Sequence, residues 1–429
     1  MKRKVLLLSA TVLLLLISCQ VNRHTTANEL PDTRKGSSRF LFLSDAHLNT
    51  FSDSTKIGDD TGLGLWKNFL TKAEALISSQ SPDFVIYTGD LPAHYTCNGG
   101  CYLPPDGRAV HNTNLGTILM DLRNLVAQRH IPLLYVPGNN DAIAGNYYSF
   151  ADEKQQTLFS LIGEAGNPYP ALNVNASGYI APCMVSNPHP EMGYYSTRPV
   201  KGLRVIILNT VIYSINFHPV DGTTQLADGN EQMQWLAAEL KDAVSTGDKV
   251  YIAMHIPPGL DAFGSQKTPS PTWVHLPDQS PSWLNSFLGL VARYQHTVAG
   301  ILYGHTHMDE IRRLYDSSGT QITGVAISCP GITPNHLNNP GFKMVQYDKK
   351  SKALLDFTTF YTTPRARYWG DSTYSFNKVF HFSNSNTIYQ NVSSASLDDL
   401  MPMMNTIYMV KNGGTLYNIK PAVEVKFGQ

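Results

Sequence analysis

The chain has 429 residues, 42% of them apolar and 15% charged. That is a globular composition able to bury a sizeable core, and it excludes disorder as the main state. Lysine plus arginine and aspartate plus glutamate both number 33, for a formal net charge of zero, so bulk charge offers no grip on a nucleic-acid duplex. From the amino terminus, Lys2, Arg3 and Lys4 precede an apolar run from Val5 to Ile17. A bilayer span needs about 20 apolar residues, so this shorter run reads as the core of a signal peptide over residues 1–18. A polar tether, residues 19–39, follows. The body then alternates short apolar runs with helical patterns. Phe40–Leu43 predicts a strand, Leu65–Ile77 a helix, Phe84–Tyr87 a strand, Ile118–Val126 a helix and Leu133–Val136 a strand. Val205–Leu208, Val250–Met254 and Val298–Tyr303 predict further strands, separated by helices over Glu231–Val244 and Leu284–Tyr294. This alternation predicts an α/β fold with covered sheets, in a domain spanning 40–360. Toward the end the chain turns richer in Asn and Ser, and residues 361–429 read as a small C-terminal appendage. Cys97-Asn-Gly-Gly-Cys101 can close as a local disulfide in an oxidising compartment, which leaves Cys183 and Cys329 without an assigned pairing.

Polar residues recur where the predicted strands end. The first strand runs into Ser44-Asp45-Ala46-His47, the second into Thr88-Gly89-Asp90, and the third into Gly138-Asn139-Asn140-Asp141. Later strands run into His255 and into Gly304-His305-Thr306-His307. Ligands of open α/β sheets gather at the carboxyl ends of strands, so these exits read as one site. Carboxylate, imidazole and amide donors without a thiolate suit zinc, manganese or iron. Continued extended alternation would turn Asp45 and His47 to the same side, and likewise His305 and His307. The glycines before Asp90, Asn139 and His305 let the backbone turn sharply and approach a ligand closely. Each motif alone is commonplace, a turn aspartate or a core histidine. Their succession, each directly after a strand, carries the signal.

Two resemblances follow from these residues. Leu16-Ile17-Ser18-Cys19 resembles the lipobox of bacterial lipoproteins, in which the cysteine becomes the lipidated first residue. That implies a chain anchored to the cell envelope through Cys19, on the outer membrane or facing the periplasm, with plain secretion as the alternative. The strand-exit motifs resemble the calcineurin-like metallophosphoesterase signature. Thr88-Gly89-Asp90-Leu91-Pro92-Ala93-His94, Gly193-Tyr194-Tyr195-Ser196, His255-Ile256-Pro257-Pro258-Gly259, Gly304-His305-Thr306-His307-Met308-Asp309-Glu310 and Asn339-Pro340-Gly341-Phe342 extend the likeness. Together they resemble the acid sphingomyelinase-like phosphodiesterases, over about residues 40 to 360.

The resemblance implies a four-layer β-sandwich flanked by helices and a centre of two divalent metal ions, zinc or else manganese or iron. Asp45, His47 and His307 would hold one ion, Asn139, His255 and His305 the other, and Asp90 would bridge both. A metal-bound hydroxide would attack phosphorus. His94 would protonate the leaving group, and Asp141, behind the site, would either orient His94 or cap a turn. The family's usual Gly-Asn-His has Asn140 in the histidine's place, and an amide cannot act as an acid. The saposin-like domain of true acid sphingomyelinases has no counterpart between Cys19 and the first strand. Hydrolysis of small soluble phosphoesters or phosphoanhydrides such as nucleotides is therefore the expected activity. Release of phosphocholine from sphingomyelin and a catalytically silent surface-binding lipoprotein are the alternatives.

Overall fold

The computed structural model describes residues 35–94, 105–127, 129–163, 183–220, 222–262, 269–413 and 418–429. Cys19, Cys97 and Cys101 lie outside them. Residues 33–429 group as one unit, built on two mixed sheets. The first runs, edge to edge, Thr373–Ser375, Leu354–Tyr361, Gly341–Asp348, Ser37–Leu43, Val85–Tyr87 and Leu133–Tyr135. Its last three strands are mutually parallel, and Gly341–Asp348 pairs antiparallel with Ser37–Leu43. The second runs Glu424–Val425, Ile311–Tyr315, Ile322–Ser328, Val298–Tyr303, Lys249–Ala253, Leu203–Ile207, Tyr194–Val200 and Met184–His189. Its four central strands are parallel. Strands buried on both faces read as continuous apolar runs, which is why the parallel centres of both sheets stood out in the sequence.

The sheets face each other. Phe40 and Tyr347 of the first meet the ring of Tyr251 in the second, with centroids 5.8 and 6.4 Å apart. The helix Leu63–Gln80 buries Leu65, Trp66, Phe69, Ala73, Leu76 and Ile77, and Phe69 meets Phe342 of the first sheet edge-on at 5.3 Å. The helices Gln225–Thr246 and Trp283–Arg293 pack Leu236, Leu240, Phe287 and Leu288 against Ile206, Ile252 and Ile301 of the second sheet. Thr224 and Ser282 cap their amino termini, accepting from Ala227 N and Asn285 N, and Gly247 ends the first of them at φ +73°. The architecture is thus helix, sheet, sheet, helix.

Two differences from the sequence reading concern extent. The helix expected over Ile118–Val126 begins at Pro105. Gly107, Asn112, Thr113, Asn114 and Gly116 are poor helix formers that hide its first half, and Asn114 earns its place by accepting from Thr50 N and Oγ1 at 2.9 and 2.6 Å. The segment after residue 361, read as an appendage, contributes an edge strand to each sheet, Thr373–Ser375 and Glu424–Val425. Strands of three and two residues leave no periodic trace in sequence, yet they satisfy edge groups that would otherwise stay unpaired.

Candidate metal centre

The carboxyl ends of the parallel strands of both sheets meet at one pole. Ser37–Leu43 leads to Asp45 and His47, Val85–Tyr87 to Asp90 and His94, and Leu133–Tyr135 to Asn139. Lys249–Ala253 leads to His255, and Val298–Tyr303 to His305 and His307. All seven residues expected as ligands converge. Asp90 Oδ2 lies 3.4 Å from His47 Nε2 and 3.3 Å from His255 Nε2, so one oxygen faces two clusters. In the first cluster His307 Nε2 is 3.1 Å from His47 Nε2 and 3.5 Å from Asp45 Oδ1. In the second, Asn139 Oδ1 and His305 Nδ1 approach His255 Nε2 to 2.9 and 3.3 Å.

Extended alternation is not what aims Asp45, His47, His305 and His307. The strand before the first pair ends at Leu43, and all four residues, with Asp90, adopt left-handed backbone at φ +48°, +41°, +71°, +62° and +59°. Each such residue costs an L-amino acid roughly 1–3 kcal/mol, tolerated only where surrounding bonds over-determine it. Those bonds are present. Asp45 N, His47 N and Leu48 N donate to Gly89 O, Asp90 O and Leu91 O at 3.0, 3.1 and 2.8 Å, and Thr333 N and Gly331 N donate to Asp45 O and His307 O at 3.0 and 3.1 Å. The glycines expected to admit a ligand instead let the turns approach one another. A side chain on Gly89 or Gly138 would strike the other's turn, and one on Gly304 would strike Ser44 and Asp45.

The outer nitrogens of His47 and His255 face the Pro92 and Thr88 carbonyls at 3.0 and 2.6 Å. Donation there leaves each Nε2 lone pair pointing inward, the arrangement a metal ligand needs. Asn140 donates from its backbone and its side chain to the two Asp90 oxygens at 2.9 and 2.8 Å. Asp141 accepts from Asp90 N, Leu91 N, Gly138 N and Tyr135 OH at 3.1, 2.7, 2.7 and 2.6 Å. It clamps the turns that carry Asp90 and Asn139. The carboxylate on His94 is Asp60, 2.8 Å from its Nδ1 and from its backbone nitrogen. His94 stacks on His47 at 3.7 Å, and His336 stacks on His307 at 3.8 Å. Neither Asp60 nor His336 was singled out in the sequence, because both sit on loops without a motif of their own.

Asp45, Asp90 and Asp141 are at most 2% exposed, and among the described residues no lysine or arginine pairs with any of them. Burial pushes Asp45 up to about 7, with Asp90 adding to it against the pull of His255. Burial, then Asp90, raises Asp141 to about 6. Burial also opposes ionisation of Asp90, but His255 and His47 outweigh it and hold the group well below the usual carboxylate range. Burial likewise disfavours the His255 cation, yet Asp90 and Asp45 prevail and raise it to about 9. Burial followed by the His255 charge drives His305 down to about 3. A pocket of buried carboxylates that pulls protons onto a neighbouring imidazole will draw a divalent cation by the same field. The donors fit one. Asp45, His47 and Asp90 offer ligand atoms within 4.8 Å of one another, as do Asp90, His255 and His305.

Residues 38–309 match the family model for calcineurin-like phosphoesterases. The chain is 26% identical over 366 residues to an acid sphingomyelinase-like phosphodiesterase 3b of Mus musculus, covering 76% of this chain and 71% of that one. It is 30% identical over 294 residues to a sphingomyelinase phosphodiesterase D of Dictyostelium discoideum, covering 68% and 58%. It is 26% identical over 318 residues to a cyclic GMP-AMP phosphodiesterase of Mus musculus, covering 70% and 62%. The matched stretch therefore spans less than two thirds of the last two relatives. Taken with the convergent donors at the strand ends, the match over most of the fold shows that the chain belongs to the calcineurin-like phosphoesterase family and is a phosphodiester hydrolase.

Proposed function

We propose that the chain hydrolyses phosphodiester or phosphoanhydride bonds of small soluble substrates, nucleotides among them, with two divalent cations, zinc favoured over manganese or iron. The observation that carries this reading is the burial of Asp45, Asp90 and Asp141 beside inward-facing imidazoles, with no lysine or arginine partner among the described residues. Two cations held there would supply Lewis-acid charge for the phosphoryl oxygens and a nucleophile at neutral pH. Asp45, His47 and His307 would hold one, Asn139, His255 and His305 the other, and Asp90 would bridge them.

His94 is the proposed general acid. Burial disfavours its cation, but the hydrogen bond and charge of Asp60 outweigh burial and raise it. Its Nδ1 proton is held by Asp60, which leaves Nε2–H to pass a proton to the leaving oxygen. Asn140 takes no part in proton transfer. Its amide steadies the Asp90 carboxylate.

Nucleotides are favoured by the relative named a cyclic GMP-AMP phosphodiesterase, and sphingomyelin, the second reading, by those named for sphingomyelinases. Metal analysis of the purified chain, with hydrolysis of bis(p-nitrophenyl) phosphate, cyclic dinucleotides and choline lipids, tests the proposal. Absence of transition metal in active protein would overturn it. Phosphocholine as the preferred product would select the second reading. We also propose lipidation at Cys19, which mass spectrometry of the mature amino terminus checks.

A further inference from the structure

Each imidazole facing the centre needs something to fix the plane of its ring, because the torsion about the bond to the ring is broad. Metal-ligating histidines are usually fixed by a hydrogen bond from the outer nitrogen. His47 and His255 have such partners in Pro92 O and Thr88 O. His307 differs. Its Nδ1 is buried and has no hydrogen-bond partner among the described residues. What lies against it is His336, with ring centroids 3.8 Å apart and planes 18° from parallel. His336 is fastened through its own Nδ1 to the carbonyl of Thr306, 3.2 Å away and adjacent to His307 in the chain. The same loop approaches again at Gly331, whose nitrogen donates to His307 O at 3.1 Å and whose missing side chain leaves room for the His307 ring.

We propose that His336 is a positioning residue for His307, replacing by ring stacking the outer hydrogen bond that His47 and His255 have. The proposal rests on reading the centre as a metal site. A parallel ring in contact blocks the rotation that a hydrogen bond would block, so His307 meets an incoming ion with its Nε2 already aimed. His94 stacks on His47 in a similar way, but His47 already has its hydrogen bond, so stacking there is an addition and not a replacement.

The test is zinc binding by the full chain, measured by competition with a chelating dye, for wild type and for His336→Ala, His336→Phe and His336→Asn. Loss of an outer partner typically weakens metal affinity by about 10–100-fold. His336→Ala should therefore weaken one of two zinc equivalents by that factor and leave the other alone. His336→Phe keeps a ring without nitrogens and should stay within about threefold of wild type, well short of that loss. His336→Asn keeps a polar group without a ring and should behave like the alanine variant. Should His336→Ala fail to fold, the contrast between Phe and Asn decides. Unchanged binding by His336→Ala, or a loss in His336→Phe equal to that in His336→Asn, would overturn the proposal. Wild-type protein that takes up no zinc would overturn the metal-centre reading itself, a separate outcome.

Discussion

At the amino-terminal pole of the eight-stranded sheet, the fully buried Arg204 reaches Glu239 at 3.0 Å, Asp242 at 2.7 Å and Asp248 at 3.4 Å. Arg198 closes on the same Asp248 at 2.6 Å. At the pole where the carboxyl ends of both sheets meet, Asp45, Asp90 and Asp141, which follow strands of the six-stranded sheet, are buried as deeply and, among the described residues, meet imidazoles, amides and hydroxyls but no lysine or arginine. Burying a charge is costly unless something answers it. At the first pole the protein answers with its own arginines. At the second, imidazoles, amides and hydroxyls answer, and no lysine or arginine does among the described residues. The two poles therefore teach how to tell a structural charge cluster from a binding one: by whether the buried carboxylates meet the protein's own arginines.

The largest effect should come from the residue the two clusters share. Asp90→Ala should cost both cations and lower hydrolysis by more than about 10³-fold, exceeding the loss of a single oxyanion donor. Metal content and turnover measured together check it, and a variant that keeps both would end the comparison. His94→Ala should lower turnover of an alkyl phosphodiester by about 10²–10⁴-fold. The p-nitrophenyl ester, whose leaving group needs little protonation, should be largely spared and metal content unchanged. Equal losses on both substrates would make His94 a positioning residue.

Stability separates the poles further. Stripping cations with a chelator should lower the melting temperature, because an ion at 100 times its dissociation constant stabilises the native state by about 2.7 kcal/mol. The cost of Asp248→Asn, about 1 kcal/mol at pH 7, should be the same with and without the chelator. Burial works against the Asp248 anion, but the Arg198 and Thr246 hydrogen bonds outweigh it and depress its pKa. A depressed carboxylate contributes stability that is present above its unfolded-state pKa and lost as pH falls through the folded-state value. The gap between wild type and Asp248→Asn in urea denaturation should therefore be full at neutral pH and close below about pH 4.

The metal-side pole was the more legible of the two. Its strands are short apolar runs, and each run ends abruptly in a polar motif. What sequence could not carry was the backbone: left-handed Asp45, His47, Asp90, His305 and His307 are products of loops zipped to loops far away in the chain. Asp60 and His336 are invisible for the same reason. The strands Ile311–Tyr315 and Gly341–Asp348 escaped notice because Arg312, Arg313 and Lys343 interrupt their apolar pattern. Arg312 and Lys343 are buried against Glu310 and Asp309, at 3.0 and 2.8 Å, pairings no local pattern predicts. Asp309 also accepts from Thr359 and Tyr374, which ties the turn after His307 to the segment beyond residue 361.

The order of strands in the first sheet bears on how a ribosome makes this molecule. Ser37–Leu43, which delivers Asp45, lies between Val85–Tyr87 and Gly341–Asp348. Its second neighbour is therefore synthesised about 300 residues after it. At about 5–20 residues per second, the nascent chain carries an open, apolar strand edge for on the order of tens of seconds. Such an edge invites pairing with other chains. The half-built sheet thus needs shelter during synthesis, and a chain cut before residue 341 would keep that edge exposed.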